Sequence, residues 1–295
     1  MDRVVPHGPD RTQAGRRAAE NVGMDRDWGP EARAWIARLA AAPLRVLGST
    51  RDELAAWREQ PDRVDAHRLA GIVLRDPALC LRVLCDTAEF NARLATPLET
   101  VTAALLVTGI ERFFRSTEGL AGLEDHLQDN PPALHGALGL VERSWSAARI
   151  AAAFAIHRQD EDAELLHQAA LLANVTELLA WCESPAQMLD IARRQRSDPQ
   201  LRTAHAQLEV LGVDLAALQP AVLELRGVPD SVRLLLEPGN GGHAGARCVA
   251  LASRLARHLQ VGWDNAALGD DFHDAGELLH VPSSAAAELV RQALA

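Results

Sequence analysis

The chain has 295 residues, 48% of them hydrophobic and 24% charged, enough to build a packed core and ordinary for a globular protein. Its net charge of -10 argues against a dedicated nucleic-acid partner, which needs a basic face to displace counterions. All 30 basic residues are arginine and tyrosine is absent, which excludes a Walker-type phosphate lysine, a lysine Schiff base and a tyrosine acid or base.

Residues 1–30 carry Pro, Gly, Arg and Asp with few large apolar groups, and predict a mobile tail. Helix punctuation follows. Asp76-Pro77, Thr96-Pro97, Ser184-Pro185 and Asp198-Pro199 each place a capping side chain before a proline suited to the first helical position. Thr96 and Glu99 have capping-box spacing. Gly109, Gly212 and Gly227 end apolar periodic runs and read as helix stops. Leu134, Leu138, Val141, Trp145 and Ala148 form one helical stripe, and Leu165, Ala169, Leu172, Leu178 and Leu179 continue the style. Alternating strand patterns are nearly missing, so the expected class is all-α, with many short helices. The polar stretch from Glu118 to Pro132 marks a boundary between an N-terminal lobe, 31–130, and a C-terminal lobe, 131–295.

No stretch approaches the roughly 20 apolar residues of a membrane helix. The polar N-terminus lacks the apolar core of a secretory signal. Cys80, Cys85, Cys182 and Cys248 form no CxxC pair and sit among apolar residues, as reduced thiols do. A cytoplasmic protein with no membrane partner is expected.

The run from Arg75 through Asp76, Pro77, Ala78 and Leu79 to Leu84, then Thr96 to Ile110, then Phe113 and Phe114, resembles the signature of the HDOD family, the HD-related output domain. Cys85, Asp86 and Thr87 stand where that signature has Ala-Asn-Ser. Ala170 to Leu178, Leu208 to Leu215 followed by Glu224 to Pro229, and Cys248 to Leu255 are similar to later family motifs in the same order. The resemblance implies two packed helical lobes, the second a degenerate HD-type bundle.

The wider HD superfamily contains metal-dependent phosphohydrolases that hold hard divalent ions with histidine and aspartate and activate a bound water. By the resemblance, Ala147 stands for the first histidine and Ala173-Asn174 for the His-Asp pair. Leu215 takes the place of a common histidine, and Ser253 that of the late aspartate. These residues imply a vestigial site without metal or other cofactor. The implied role is a non-catalytic regulatory module in bacterial signalling. It would act by protein contacts with other signalling proteins, with a nucleotide second messenger such as a cyclic dinucleotide as one candidate signal and a homodimer as one candidate assembly. The alternatives are a divergent metal-dependent phosphohydrolase and a ligand-free dimerising scaffold.

Other groups have two readings each. Asp270, Asp271, His273, Asp274 and His280 are either a metal cluster or a solvated first turn whose acids favour the positive helix end. Gly239 to Gly245 is either a phosphate cradle or a connecting loop. Asn174 is a ligand contact or a satisfied buried amide. Arg143, Arg149, Arg193, Arg194 and Arg196 bind phosphate or lie on solvated helix faces. Trp145 and Trp181 read as core anchors. Ser144 and Ser146 lack the glycines of a nucleophile elbow, and His135, His157 and His167 are isolated.

Overall fold

Capping side chains and prolines set the helix starts, most clearly at Asp76. Its carboxylate accepts from the amides of Ala78 (2.9 Å) and Leu79 (3.1 Å), and Pro77 opens the helix that follows. The computed structural model describes residues 28–237 and 239–295. Residues 1–27 of the expected tail lie outside the described residues.

The first stretch runs α1 (Pro30–Ala41), β1 (Arg45–Val46), α2 (Gly48–Arg58), α3 (Ala66–Val73), α4 (Pro77–Asp86), α5 (Ala88–Asn91), α6 (Val101–Thr108) and α7 (Ile110–Ser116). Next come β2 (Ala121–Gly122), α8 (Leu123–Leu127), the long α9 (Pro131–Arg158), α10 (Ala163–Leu172), α11 (Val175–Glu183), α12 (Pro185–Ser197) and α13 (Thr203–Leu211). The chain closes with α14 (Leu215–Leu225), α15 (Asp230–Leu236), α16 (Ala244–Leu259), α17 (Leu268–Leu279) and α18 (Ser283–Leu294). The fold is all-α. β1 and β2 make one short parallel pair, Arg45 with Ala121 and Val46 with Gly122, which ties the polar stretch after Glu118 back to the start of the chain. Among the described residues no helix is long and apolar enough to cross a membrane.

Gly109 (φ 83°) and Gly212 (φ 73°) close α6 and α13 with backbone angles that favour glycine, as their positions predict. Two expected helix starts move. Thr96-Pro97 does not begin a helix; α6 starts at Val101, capped by Thr100, whose hydroxyl accepts from Ala103 N. Two side-chain amides tie down the irregular backbone that precedes α6. Asn91 bonds both the N–H and the carbonyl of Leu98, while the buried Gln168 accepts from Val101 N and donates to the Glu99 carbonyl. Asp198-Pro199 likewise forms a turn, closed by Asp198 Oδ1 accepting from Gln200 N, and α13 begins at Thr203.

Two apolar cores share the molecule, and each draws on residues from both sides of position 130. One joins Leu69, Leu79, Leu84, Leu105 and Phe113 of the signature helices to Ile150 and Phe154 of α9, Leu171 of α10 and Leu255 of α16. The other joins Trp35 and Leu39 of α1 to Leu140 of α9, Trp181 of α11 and Leu218 of α14. α9 therefore threads both, its second half in the first core and its first half in the second. At Gly136 it lies against the Trp181 ring so closely that an added Cβ would stand 2.5 Å from Cη2.

The four cysteines are free thiols. Burial pushes Cys85 and Cys182 up to about 11 and Cys248 up to about 12, so none is a thiolate nucleophile near neutral pH.

Candidate functional site

Three helices begin around one cavity. Ala173 and Asn174 precede α11, Thr203 and Ala204 open α13, and Asp214, Leu215 and Ala216 start α14; all line a cavity of about 170 Å³. Each helix N-terminus presents amides without intrahelical acceptors and about half a positive charge. Asp214 covers one such end, its carboxylate accepting from Ala216 N at 3.1 Å. The starts of α11 and α13 have no side-chain cap.

The cavity wall adds two arginines from the flanking helices, Arg143 of α9 and Arg257 of α16. Arg143 is largely buried; its Nη2 donates to Glu177 at 3.3 Å, and its Nε has no hydrogen-bond partner. Arg257 makes no ion pair or hydrogen bond with the described residues. It reaches from the cavity wall towards solvent. Protein crowded around its guanidinium lowers its pKa from the ordinary value and the charge of Arg143 lowers it further, against the attraction of Glu177 and Asp271. The Arg257 guanidinium stays cationic at neutral pH all the same.

Amides complete the lining. Gln207 is buried, with Oε1 accepting from Leu215 N at 2.9 Å, which fixes the start of α14 against α13. The side chains of Asn174 and Gln219 make no hydrogen bond to the described residues. The cavity is therefore a polar pocket lined by two guanidinium groups and two carboxylates, Glu177 and Asp214, with donors on several sides.

Of the five positions that the family resemblance reads as vestigial, Ala173, Asn174 and Leu215 meet at this cavity. Ala147 is fully buried on α9, and Ser253 is buried on α16 with its hydroxyl donating to the Val249 carbonyl at 2.8 Å; neither lines it. Arg143 stands one helical turn before Ala147, and Arg257 one turn after Ser253, so the arginines share the faces of those positions. That spacing is the signal by which the sequence could have placed both of them here.

The acidic run after Gly269 divides: Asp270 is exposed at the start of a helix, as on a solvated first turn, whereas Asp271 is not. Asp270 and Asp271 do lie in the first turn of α17, but Asp271 is buried, not solvated. It pairs with Arg254 Nε (2.7 Å) and with His258 Nδ1, while Asp274 takes the other arm of Arg254. His273 faces Glu277 on the surface, and His280 closes the helix with positive φ. The carboxylates converge on a guanidinium, and among the described residues no group of three or more His, Cys, Asp and Glu is placed to hold a metal ion.

In the glycine-rich loop before α16, His243 caps the helix, its Nδ1 accepting from Ala246 N at 3.3 Å. Of the arginines read as a set, only Arg143 enters the cavity. Arg149 reaches the Leu294 carbonyl, Arg193 and Arg194 pair with Asp190 on an exposed face, and Arg196 is exposed. Trp181 is buried; Trp145 is half-buried and meets His167 edge-on at 5.6 Å. His167 is itself a packing residue, its Nε2 donating to the Leu74 carbonyl at 2.8 Å, and burial lowers its pKa.

The profile of the HDOD domain family matches residues 46–237. The fold is similar to that of the MmoQ response regulator from Methylococcus capsulatus str. Bath, at 18% identity and TM-score 0.64, covering 85% of this chain and 99% of that one. A virulence factor from Campylobacter jejuni subsp. jejuni aligns at 16% identity and TM-score 0.60, over 84% and 90% of the two chains. An HDOD domain protein of unknown function from Geobacter sulfurreducens aligns at 14% and 0.50, over 90% and 93%. At such identities the likeness is one of fold. No curated protein matches the chain.

Proposed function

The chain belongs to the HDOD domain family, and from that premise we propose that it is a non-catalytic signalling module that works by contact with other signalling proteins. The observation that carries this reading is the chemistry around the vestigial positions. Ala147, Ala173 and Leu215 offer only hydrocarbon, Asn174 a neutral amide, and the Ser253 hydroxyl is engaged with its own helix. A divalent ion needs carboxylate or imidazole, and two neighbouring guanidinium groups repel it. The fold shared with a response regulator supports the signalling context. Leu106 and Val107, adjacent on α6 and 60% and 54% exposed, give the signature region an apolar surface suited to a protein partner. Four unpaired thiols suit the reducing cytoplasm.

The test is a turnover assay. The purified full chain, supplied in turn with Mn, Fe and Zn, is incubated with phosphomonoesters, nucleotides and cyclic dinucleotides. The expected result is no product above the protein-free rate. Sustained turnover that scales with protein concentration would sink the reading.

A further inference from the structure

We propose that the cavity among α11, α13 and α14 is a binding site for a phosphate monoester, with Arg143 and Arg257 as its cationic clamp. The inference rests on the reading of this place as non-catalytic, and adds the class of signal that the module would carry.

Four independent features point to an anion. The beginnings of three helices, each at least nine residues long, surround the same space, and α11 and α13 leave their first-turn amides uncapped. Arg257 has a charged head that makes no ion pair or hydrogen bond with the described residues. Arg143 holds one buried N–H without an acceptor. The amides of Asn174 and Gln219 add neutral donors with no protein acceptor.

The two carboxylates present do not cancel this. Asp214 is engaged with the α14 amide, and Glu177 is hydrogen-bonded to Arg143; Glu177 and Asp271 attract Arg257 through space, but neither makes an ion pair or hydrogen bond with it. The second guanidinium and the uncapped helix ends remain, which is the pattern that recognises a dianion through charge-assisted, forked hydrogen bonds.

Size decides which phosphate. A cavity of about 170 Å³ is smaller than the roughly 300–1,000 Å³ of sites that enclose a whole organic ligand. It takes a terminal phosphoryl group and leaves the rest of the molecule at the rim, beside Arg257. A phosphodiester inside a cyclic dinucleotide carries a sugar on each side and only one charge. It fits neither the room nor the charge.

Isothermal titration calorimetry on the full chain at low ionic strength, with inorganic phosphate, ribose 5-phosphate, AMP and a cyclic dinucleotide as probes, tests the proposal. Phosphate and both monoesters should bind with one site per chain, and the cyclic dinucleotide should not. AMP binding more tightly than ribose 5-phosphate would assign the signal to nucleotides, and equal affinity to sugar phosphates; both support the site. Arg257→Gln, at the rim, should weaken binding at least about tenfold, the loss of one charge-assisted contact. Arg193→Gln, on an exposed face outside the cavity lining, should leave it unchanged. Glu177→Gln removes the competing carboxylate and should tighten binding a few-fold.

Three results would overturn the proposal: no heat with any phosphate, equal affinity in Arg257→Gln and wild type, or tighter binding of the cyclic dinucleotide than of the monoesters. Parallel measurement of released phosphate separates the two readings. Absent binding without turnover removes the site and leaves the non-catalytic module intact. Hydrolysis of the ester removes the non-catalytic reading, and with it the idea that the arginines hold the ester rather than process it.

Discussion

Asp76 in the signature region and Arg143 in the cavity are both buried charges, and the fold treats them in opposite ways. Asp76 is 1% exposed and accepts from Leu47 N (2.8 Å), Ala78 N and Leu79 N. Burial raises its pKa even against these bonds. Its oxygens are spent on joining β1 to α4. Arg143 has one acidic partner at 3.3 Å and a buried Nε with none. The charge that is fully satisfied fixes structure; the one left partly unsatisfied lies beside Arg257, which makes no ion pair or hydrogen bond with the described residues, and this is the charge that the proposed phosphate would engage.

The sharpest way to break that contrast is to remove each charge. Asp76→Ala deletes a cap and strands the Leu47 amide, and should cost about 3 kcal/mol in urea unfolding. Arg143→Met keeps volume and removes a poorly paired ion, so its cost should stay within about 1 kcal/mol. Equal costs would erase the distinction between the regions.

Gly136→Ala probes the second core on its own. The new methyl would meet the Trp181 ring, and overpacking of this kind should cost about 2 kcal/mol, read as a lower urea midpoint at unchanged slope. The first core has a pH signature instead. His167 has its pKa lowered from 6.5 by burial, so the native state binds its proton less readily than the unfolded chain does. Its contribution is present above pH 6.5 and is lost as the pH falls through the lowered native value. His167→Gln should flatten the stability profile over that window, and an unchanged slope would show that another group is responsible. The smallest effect belongs to Arg257→Gln, whose thermal stability without ligand should stay within about 0.5 kcal/mol of wild type. A larger loss would make Arg257 a structural residue.

The all-α class and the signature helices were legible because they rest on local rules. Asp76-Pro77 caps and opens α4, and Gly109 and Gly212 stop their helices, through contacts a few residues long. Thr96 misled because the competing partners of its neighbourhood are remote: Gln168 lies 67 residues from the Val101 amide that it binds. Asp271 misled for the same reason, since its partners Arg254 and His258 sit on the preceding helix. The cavity was half legible. Asn174 and Leu215 could be named by motif, whereas Arg143 looked like a solvated face because α9 turns different sides to two cores along its length. Gln219 and Gln207 carry no local signal, because only the meeting of three helix ends gives them a role.

The most direct test is the metal content of the full chain, purified without an affinity metal from cells supplemented with Mn, Fe and Zn. Less than about a tenth of an equivalent is expected, because Ala147, Ala173, Asn174, Leu215 and Ser253 supply no ligand set and two arginines stand beside them. One or more tightly held equivalents would contradict the account and make a metal-dependent phosphohydrolase the leading description.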